Sequence, residues 1–335
     1  MISTFRSRPV SPRFPVVAAA LSLALSPAIA ARAGTDNKSV TKDVVQQQEE
    51  KTMLNAFEID TSYVGSSDFK DHQFGGSSGL PARSYGDQDE FHLYTEYSHR
   101  FHLNGNWYFR AGAAYERFDF SKSFAPVPTT LQSVSGVFAL EYVIQNTPGF
   151  FIRSKPGLYF SNAHNLGTGN FDAPSDLGVV IEGTRIFSSL KKVYFLVGVH
   201  GSILASNPVL PFGGVVWLIN DKWRLEAVPP EPQLIYSLNK HVDLFIGGEI
   251  LGEAYKRDRN PNYRPQDQRF NEGVIDYSEW RVGGGVSINI TKTVEFDISG
   301  GYVPQRYFNY YRGDGAQRFK LDGAPYAKVA FKAEF

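Results

Sequence analysis

Alternation of apolar and polar residues, with a period of two, runs along this chain from about residue 57 to its end. In the segment 91–101, Leu93 and Tyr97 fall on one face, whereas Glu96 and Arg100 fall on the other. The same pattern recurs in the segments 107–116, 193–200, 242–253, 280–290 and 294–299. This is the period of a β-strand with one apolar and one polar face. No apolar run in this region approaches the roughly twenty residues of a membrane-spanning helix.

The connections between these segments fall into two classes. Short ones lie at 103–105, 145–149, 188–192, 220–222, 239–240 and 291–293, and longer polar ones mostly lie between them, at 66–89, 121–130, 163–176, 256–272 and 304–321. Tight turns at one end and long loops at the other are typical of outer-membrane barrels. The sequence therefore predicts an all-β fold, a transmembrane antiparallel up-and-down β-barrel with a periplasmic N-terminus, five long surface loops and one short one.

The predicted strand count is about fourteen, an even number as in single-chain bacterial barrels. The doubtful pair is Trp223–Val228 and Gln233–Leu238, joined by the proline-rich segment 229–232. Each of these segments has about six residues, whereas a spanning strand needs roughly nine to eleven. Twelve full strands plus a short hairpin is therefore the fallback count.

The last ten residues form an alternating strand that stops on Phe335. This resembles the terminal strand by which outer-membrane barrels are recognised for assembly. A soluble domain seldom ends on an apolar residue of an unprotected edge strand, because that edge promotes aggregation. We expect Phe335 to be part of an assembly signal, with outer-membrane lipids and the barrel-assembly machinery as partners.

The N-terminus has the pattern of an export signal. Arg6, Arg8 and Arg13 precede an apolar stretch at 16–30, and two A-x-A cleavage patterns end at Ala30 and Ala33. The predicted organisation is a signal peptide at 1–33, a polar periplasmic tail at 34–52 and a barrel at 53–335. The expected location is the bacterial outer membrane.

Charge and cysteine content exclude several function classes. The chain has 34 Lys and Arg against 34 Asp and Glu, which gives no electrostatic reason to expect a nucleic-acid partner. It has no cysteine, which excludes disulfides, thiol nucleophiles and thiolate metal sites.

Charged residues of both signs fall on the predicted inward face, including Lys328 and Lys332 of the last strand. The lumen-lining candidates are His92, Glu96, Arg100, Arg110, Glu116, Arg153, His200, Glu249, Glu253 and Arg281. One interpretation is a wet pore that gives passive passage to small solutes or binds them. The alternative is a closed lumen, bridged by acid–base pairs, in a structural or surface-binding barrel. We expect Arg281 to reach Glu249 and Glu253, because they project inward from neighbouring strands.

Catalytic patterns are weak. Ser161 and His164 lie near the top of one predicted strand, but no acid partner can be assigned and the Gly-x-Ser-x-Gly elbow is absent. The seven histidines show no paired metal-ligand spacing. The sequence predicts no cofactor, no metal and no enzyme activity, with a lipid-active barrel enzyme as the third alternative.

Two predicted loops are rich in cationic residues, and one of them also contains several aromatic residues. Tyr307, Phe308, Tyr310 and Tyr311 interleave with Arg306 and Arg312, and Lys256, Arg257, Arg259, Arg264 and Arg269 crowd another loop. Cations beside stacking aromatics suit phosphorylated sugars or surface carbohydrate. The alternative is a solvated loop in which the arginines pair with Asp258, Asp267 and Glu272.

The stretch Pro211–Ile250 resembles an uncharacterised family of bacterial outer-membrane barrels, known only as a domain of unknown function. The resemblance lies in Pro211-Phe212-Gly213-Gly214, the Trp217–Trp223 hairpin, Pro229-Pro230-Glu231-Pro232, Tyr236 and Gly247-Gly248-Glu249. It implies the barrel fold and assigns no activity to any residue.

Overall fold

The computed structural model describes residues 54–72, 84–121, 128–144, 147–161, 177–190, 192–257, 273–311 and 317–335. The secondary structure of this part of the chain consists of fifteen β-strands. They are β1 (Asn55–His72), β2 (Ser84–Asn104), β3 (Trp107–Phe120), β4 (Thr130–Ile144), β5 (Thr147–Ser161), β6 (Leu177–Leu190), β7 (Val193–Ser202), β8 (Val209–Leu218), β9 (Trp223–Ala227), β10 (Gln233–Asn239), β11 (Val242–Lys256), β12 (Val274–Asn289), β13 (Val294–Tyr311), β14 (Gln317–Leu321) and β15 (Ala324–Glu334). Among the described residues no helix is long and apolar enough to cross a membrane. The predicted signal peptide and polar tail lie outside the described residues.

The strands form one closed ring. Each strand from β1 to β13 pairs with the next one along the chain, and all these neighbours are antiparallel. β14 and β15 each pair with both β13 and β1, so they act as a single strand interrupted at Asp322 and Gly323. In the described part of the chain the ring therefore has fourteen positions, and the predicted fold class is confirmed.

Exposure alternates along the strands as the sequence pattern requires. On β2, Phe91 and Tyr97 are exposed on the outside, whereas His92, Tyr94 and Glu96 are buried inside. An apolar outer face and a polar inner face are the arrangement of a barrel wall in lipid. The chain thus places its charged residues in the interior because the opposite faces of its strands contact a bilayer.

The apolar band on the outside has the height of a bilayer. On β12 it runs from Trp280, near the loop end, to Ile290 just past the turn end, with Val282 and Ile288 exposed between them. This length matches the roughly nine to eleven residues that a tilted spanning strand needs. Residues of β12 before Trp280 therefore lie beyond the bilayer on the loop side.

The two ends of the barrel differ. The start of β1, the end of β15 and the strand ends joined through 105–106, 145–146, 191–192, 219–222, 240–241 and 290–293 share one end. At the other end, strand ends are joined through seven connections, 73–83, 121–129, 162–176, 203–208, 228–232, 257–273 and 312–316, rather than the predicted six. The predicted loop 304–321 is wrong in extent, because β13 continues to Tyr311 and β14 begins at Gln317. Sequence alternation ends there because both faces of β13 are buried at this height.

The ring narrows at its loop end. Lys256, at the end of β11, pairs in parallel with Phe160, near the end of β5, although five strands separate β5 from β11 in the ring. Apolar side chains fill the space enclosed there. This aromatic cluster contains Phe69, Phe118, Phe120, Leu131, Tyr159, Leu204, Ala254, Tyr255, Val274, Ile275, Tyr277, Phe308, Tyr310, Phe319 and Leu321. Nine positions of the ring thus close around an apolar core, as small barrels do.

The strands outside this closure include the shortest of the wall. β9 has 5 residues and β10 has 7, so neither spans a bilayer by itself. They nevertheless pair with β8, with each other and with β11, and so belong to the ring. The two segments whose strand assignment was doubtful are therefore short strands of the wall. The segment Val228–Pro232 connects them at the loop end.

Candidate functional site in the barrel interior

One buried ion pair crosses the interior between strands that are not neighbours. Arg153 on β5 donates to Glu96 on β2, and both side chains are buried. The hydroxyl of Tyr94 donates to the same carboxylate. A charged pair in this position needs further hydrogen bonds to offset its desolvation, and Tyr94 provides one.

Further towards the turn end, two arginines share one carboxylate. Nη2 of Arg100 lies 2.8 Å and Nε of Arg110 lies 3.0 Å from the carboxylate oxygens of Glu141 on β4. The Arg100 guanidinium also lies over the ring of Tyr108, 4.1 Å from its centroid. These contacts bind β2, β3 and β4 together on the inner face of the wall.

The two predicted interior histidines have different surroundings. Nε2 of His92 lies 2.9 Å from Oε1 of Glu116, and its ring stacks on Phe118 with 4.3 Å between centroids. His200 is buried on β7. Glu253 is buried on β11, opposite Tyr277 in the register of β12.

Arg281 is the centre of a buried network beneath the aromatic cluster. Its guanidinium donates to Glu279 and lies 3.5 Å from Glu249 and 3.9 Å from Glu90. Arg306 reaches the other oxygen of Glu90 at 3.3 Å. The expected contact between Arg281 and Glu249 is thus present, and the expected contact with Glu253 stays a prediction. Glu90 and Glu279 were not predicted, although β2 and β12 alternation places both on the inward face.

Lys328 on β15 connects distant parts of the ring. Its ammonium nitrogen lies 2.7 Å from Asp60 on β1, 2.5 Å from Glu249 on β11 and 3.7 Å from Glu231 in the 228–232 segment. Lys328 was predicted to point inward, but Asp60 and Glu231 were not among the candidates. Alternation along β1 could have identified Asp60, whereas Glu231 stands between prolines that indicate only a turn.

A small cavity of ≈ 30 Å³ adjoins Lys328. Glu231, Glu249 and Asp297 line it with carboxylates, and Phe245 and Tyr326 contribute rings. Glycines form part of its wall. A Cβ on Gly283 would come within 2.6 Å of the Tyr326 hydroxyl, so a larger residue does not fit at this position. The cavity is large enough for about one water molecule.

Most of the described residues proposed to bind carbohydrate on the aromatic loop are buried. Tyr307, Phe308 and Tyr310 are buried on β13, and Arg306 is buried and donates to Ser67. The rings of Phe308 and Tyr310 pack in the aromatic cluster because β13 extends past the bilayer into the narrow end of the barrel, whereas the Tyr307 ring lies 4.8 Å from the Arg318 guanidinium. In the second predicted loop, Arg257 is buried, 3.4 Å from the Tyr310 hydroxyl. Arg312, Arg259, Arg264 and Arg269 lie outside the described residues.

The described residues test the catalytic and metal predictions only in part. Ser161 is buried at the end of β5, and His164 lies outside the described residues. Within the described segments, no group of three or more His, Asp or Glu side chains could hold a metal ion.

The chain terminus lies at the seam of the ring. The backbone NH of Phe335 donates to Asn55 at 3.0 Å, and that of Asn55 donates back at 2.8 Å. The ring of Phe335 is 64% exposed. It therefore projects from the closed seam at the turn end, where another protein or lipid can contact it.

Comparisons with known proteins give similar solved structures but no family. No family model and no curated protein matches the chain. Solved structures that resemble it include an outer membrane channel from Pseudomonas putida F1, with 10% identity, 86% of this chain and 97% of that chain covered, and a TM-score of 0.42. The Pseudomonas putida toluene transporter TodX has 10% identity, coverage of 92% and 95%, and a TM-score of 0.41. The translocator domain of the autotransporter NalP from Neisseria meningitidis has 10% identity, coverage of 90% and 98%, and a TM-score of 0.32. With TM-scores below 0.5, these similarities assign no substrate and no role to this chain.

Proposed function

We propose that this chain is an outer-membrane barrel that gives small polar solutes passive passage and that the described conformation is its closed state. The predicted lumen residues are proposed to line that passage. The chain is proposed to be no enzyme and to belong with the uncharacterised barrel family that 211–250 resembles.

The observation that supports passage is the asymmetry of the closure. The pairing of Lys256 with Phe160 closes nine positions of the ring around the aromatic cluster and leaves β6–β10 outside that closure. Below the cluster, the interior is lined with charged side chains such as Arg153 and Lys328. A polar interior is typical of barrels that conduct, and an apolar core at one end acts as a stopper.

A structural barrel with a permanently closed lumen is the second candidate. It is supported by the ion pairs that cross the interior, Arg153 with Glu96 and Lys328 with Asp60. Breaking one partner of such a pair is costly, because it leaves a buried charge without compensation. This candidate predicts that no solute passes under any condition that leaves the barrel folded.

Conductance in planar bilayers distinguishes the two candidates. The full mature chain, refolded in detergent and checked by its heat-modifiable migration on a gel, is added to one side of the bilayer. We expect discrete current steps, with the same protein unfolded by boiling as the control. Folded protein that inserts into the bilayer and never conducts would contradict the proposal.

Assembly through the terminus is the other part of the proposal. Phe335 is proposed to be contacted by the barrel-assembly machinery, since its exposed ring lies at the seam. Deleting Phe335 should lower the heat-modifiable, membrane-inserted fraction in cells much more than total synthesis. Replacing it with Tyr retains the ring and is the matched control. Equal insertion of the truncated and parent chains would contradict this role.

A further inference from the structure

We infer that Lys328 is the residue that closes the passage and sets its charge preference, by holding the segment Val228–Pro232, here called the proline turn, across the interior. This inference rests on the proposed function, because it assigns the position of the passage and its gate.

The ammonium of Lys328 joins three elements that are distant in sequence. It contacts Asp60 on β1, Glu249 on β11 and Glu231 in the proline turn, at 2.7, 2.5 and 3.7 Å. The ammonium lies within hydrogen-bond distance of Asp60 and Glu249, whereas its 3.7 Å contact with Glu231 is an electrostatic one. All four side chains are at most 11% exposed. Lys328 therefore fastens the turn to the opposite wall.

The proline turn has few backbone donors. Three of its residues are prolines, which have no NH to donate to a neighbouring strand. It accepts two backbone bonds from β11, Gly248 NH to Pro232 and Ile250 NH to Pro230, both 2.9 Å. On the other side Val228 packs against Leu196 and Val216 inside the barrel.

The position of the turn makes it the gate. It caps β9 and β10, the lowest strands of the wall, on the side that the β5–β11 pairing leaves outside the aromatic cluster. Moving the turn outward would open the charged interior at that side without disturbing the apolar core. The interior then communicates with the loop end beside the aromatic cluster instead of through it.

The charge around Lys328 sets the preference of an open passage. Glu231, Glu249 and Asp297 line the cavity that adjoins this lysine. Without the ammonium these carboxylates face one another, and their excess negative charge attracts cations. Removing Lys328 therefore both releases the turn and turns the opening into a cation-preferring one.

Single-channel recording on the full mature chain tests this role with three variants. Lys328→Met removes the ammonium and keeps the apolar stem. Glu231→Gln loosens only the turn, because Asp60 and Glu249 still hold the lysine. Lys332→Met is the matched control, since Lys332 lies on the same face of β15 and pairs with Glu58 at 3.3 Å, away from the turn.

We expect Lys328→Met to raise the open fraction at least about fivefold and to shift the reversal potential in a KCl gradient towards that of K⁺. Glu231→Gln should raise the open fraction without moving the reversal potential towards that of K⁺, because it removes a carboxylate and keeps the ammonium, and Lys332→Met should behave as the parent chain. If Lys328→Met does not fold, the open fraction of Glu231→Gln tests the inference by itself. A conducting parent chain whose variants at 328 and 231 match Lys332→Met would overturn the inference and leave the proposed function standing. No conductance in any of the folded chains would overturn the proposed function itself.

Discussion

Lys256 and Phe160 form one parallel pair, although they belong to strands separated by five others in the ring. Their contact converts the loop end of a fourteen-position barrel into a narrower one with an apolar core. The interior consequently has two layers, an aromatic cluster towards the loops and a network of ion pairs towards the turns.

The facing of β12 can be tested with two arginine substitutions at adjacent residues. Val286 lies on the lipid side of the band, and the hydroxyl of Ser287 donates inward to Asp297. Val286→Arg should lower the free energy of unfolding by roughly 2–4 kcal/mol, the cost of an arginine at the midplane. Ser287→Arg should lower it far less, because Asp297 can pair with the new guanidinium. Equal losses in urea unfolding from lipid vesicles would refute the assigned facing.

The buried carboxyl of Asp276 predicts a pH-dependent stability. This residue lies on β12 beyond the bilayer band, and the Ser206 hydroxyl donates to it at 2.8 Å. Burial raises the pKa of Asp276 from 3.8 to about 6. The folded chain then binds the proton more tightly than the unfolded chain, so the stability contributed by this group falls as the pH rises from about 4 to about 6.

Asp276→Asn retains an oxygen that accepts from Ser206 and cannot ionise. The variant and the parent chain should have similar unfolding free energies near pH 4. Above about pH 6 the variant should be more stable by about 2–3 kcal/mol. Urea unfolding across this pH range measures the difference. If the unfolding free energies of the two chains differ by the same amount at every pH, the pKa of Asp276 is not raised in the folded chain.

The packing of the proline turn can be tested by adding one methyl group beneath it. A Cβ on Gly214 would lie 2.9 Å from the carbonyl oxygen of Ala227 and 2.9 Å from Val228. Gly214→Ala should therefore destabilise the closed turn by roughly 1–3 kcal/mol, as overpacking does, and raise the open fraction. Gly213→Ala is the control, since its nearest neighbour is 3.6 Å away. Identical gating of the two variants would show that the turn is not displaced.

The sequence predicted the wall of the barrel well because alternation is a local property. Each residue of β2 takes its face from its position in the strand, and the exposure of Tyr97 and burial of Glu96 follow from it. The turn end was predicted for the same reason. Its connections are short and follow directly from the strands that they join.

Features that depend on the three-dimensional closure were not accessible in this way. Phe308 and Tyr310 belong to an apolar core because β5 and β11 converge, a contact between residues far apart in sequence. The partners of Lys328 come from β1, β11 and the proline turn, and only ring closure brings these elements together. Sequence reasoning identified the inward lysine but could not identify what it holds.

A disulfide lock tests whether the passage runs beside the aromatic cluster. Because the chain has no cysteine, the pair Phe160→Cys and Lys256→Cys can be introduced into the Lys328→Met chain and oxidised to lock the β5–β11 contact. Disulfide formation is followed by mass, and single-channel conductance is measured before and after reduction. We expect the same conductance in both states, because solutes pass under the proline turn. A conductance that appears only after reduction would contradict the account, since it would place the passage through the aromatic cluster.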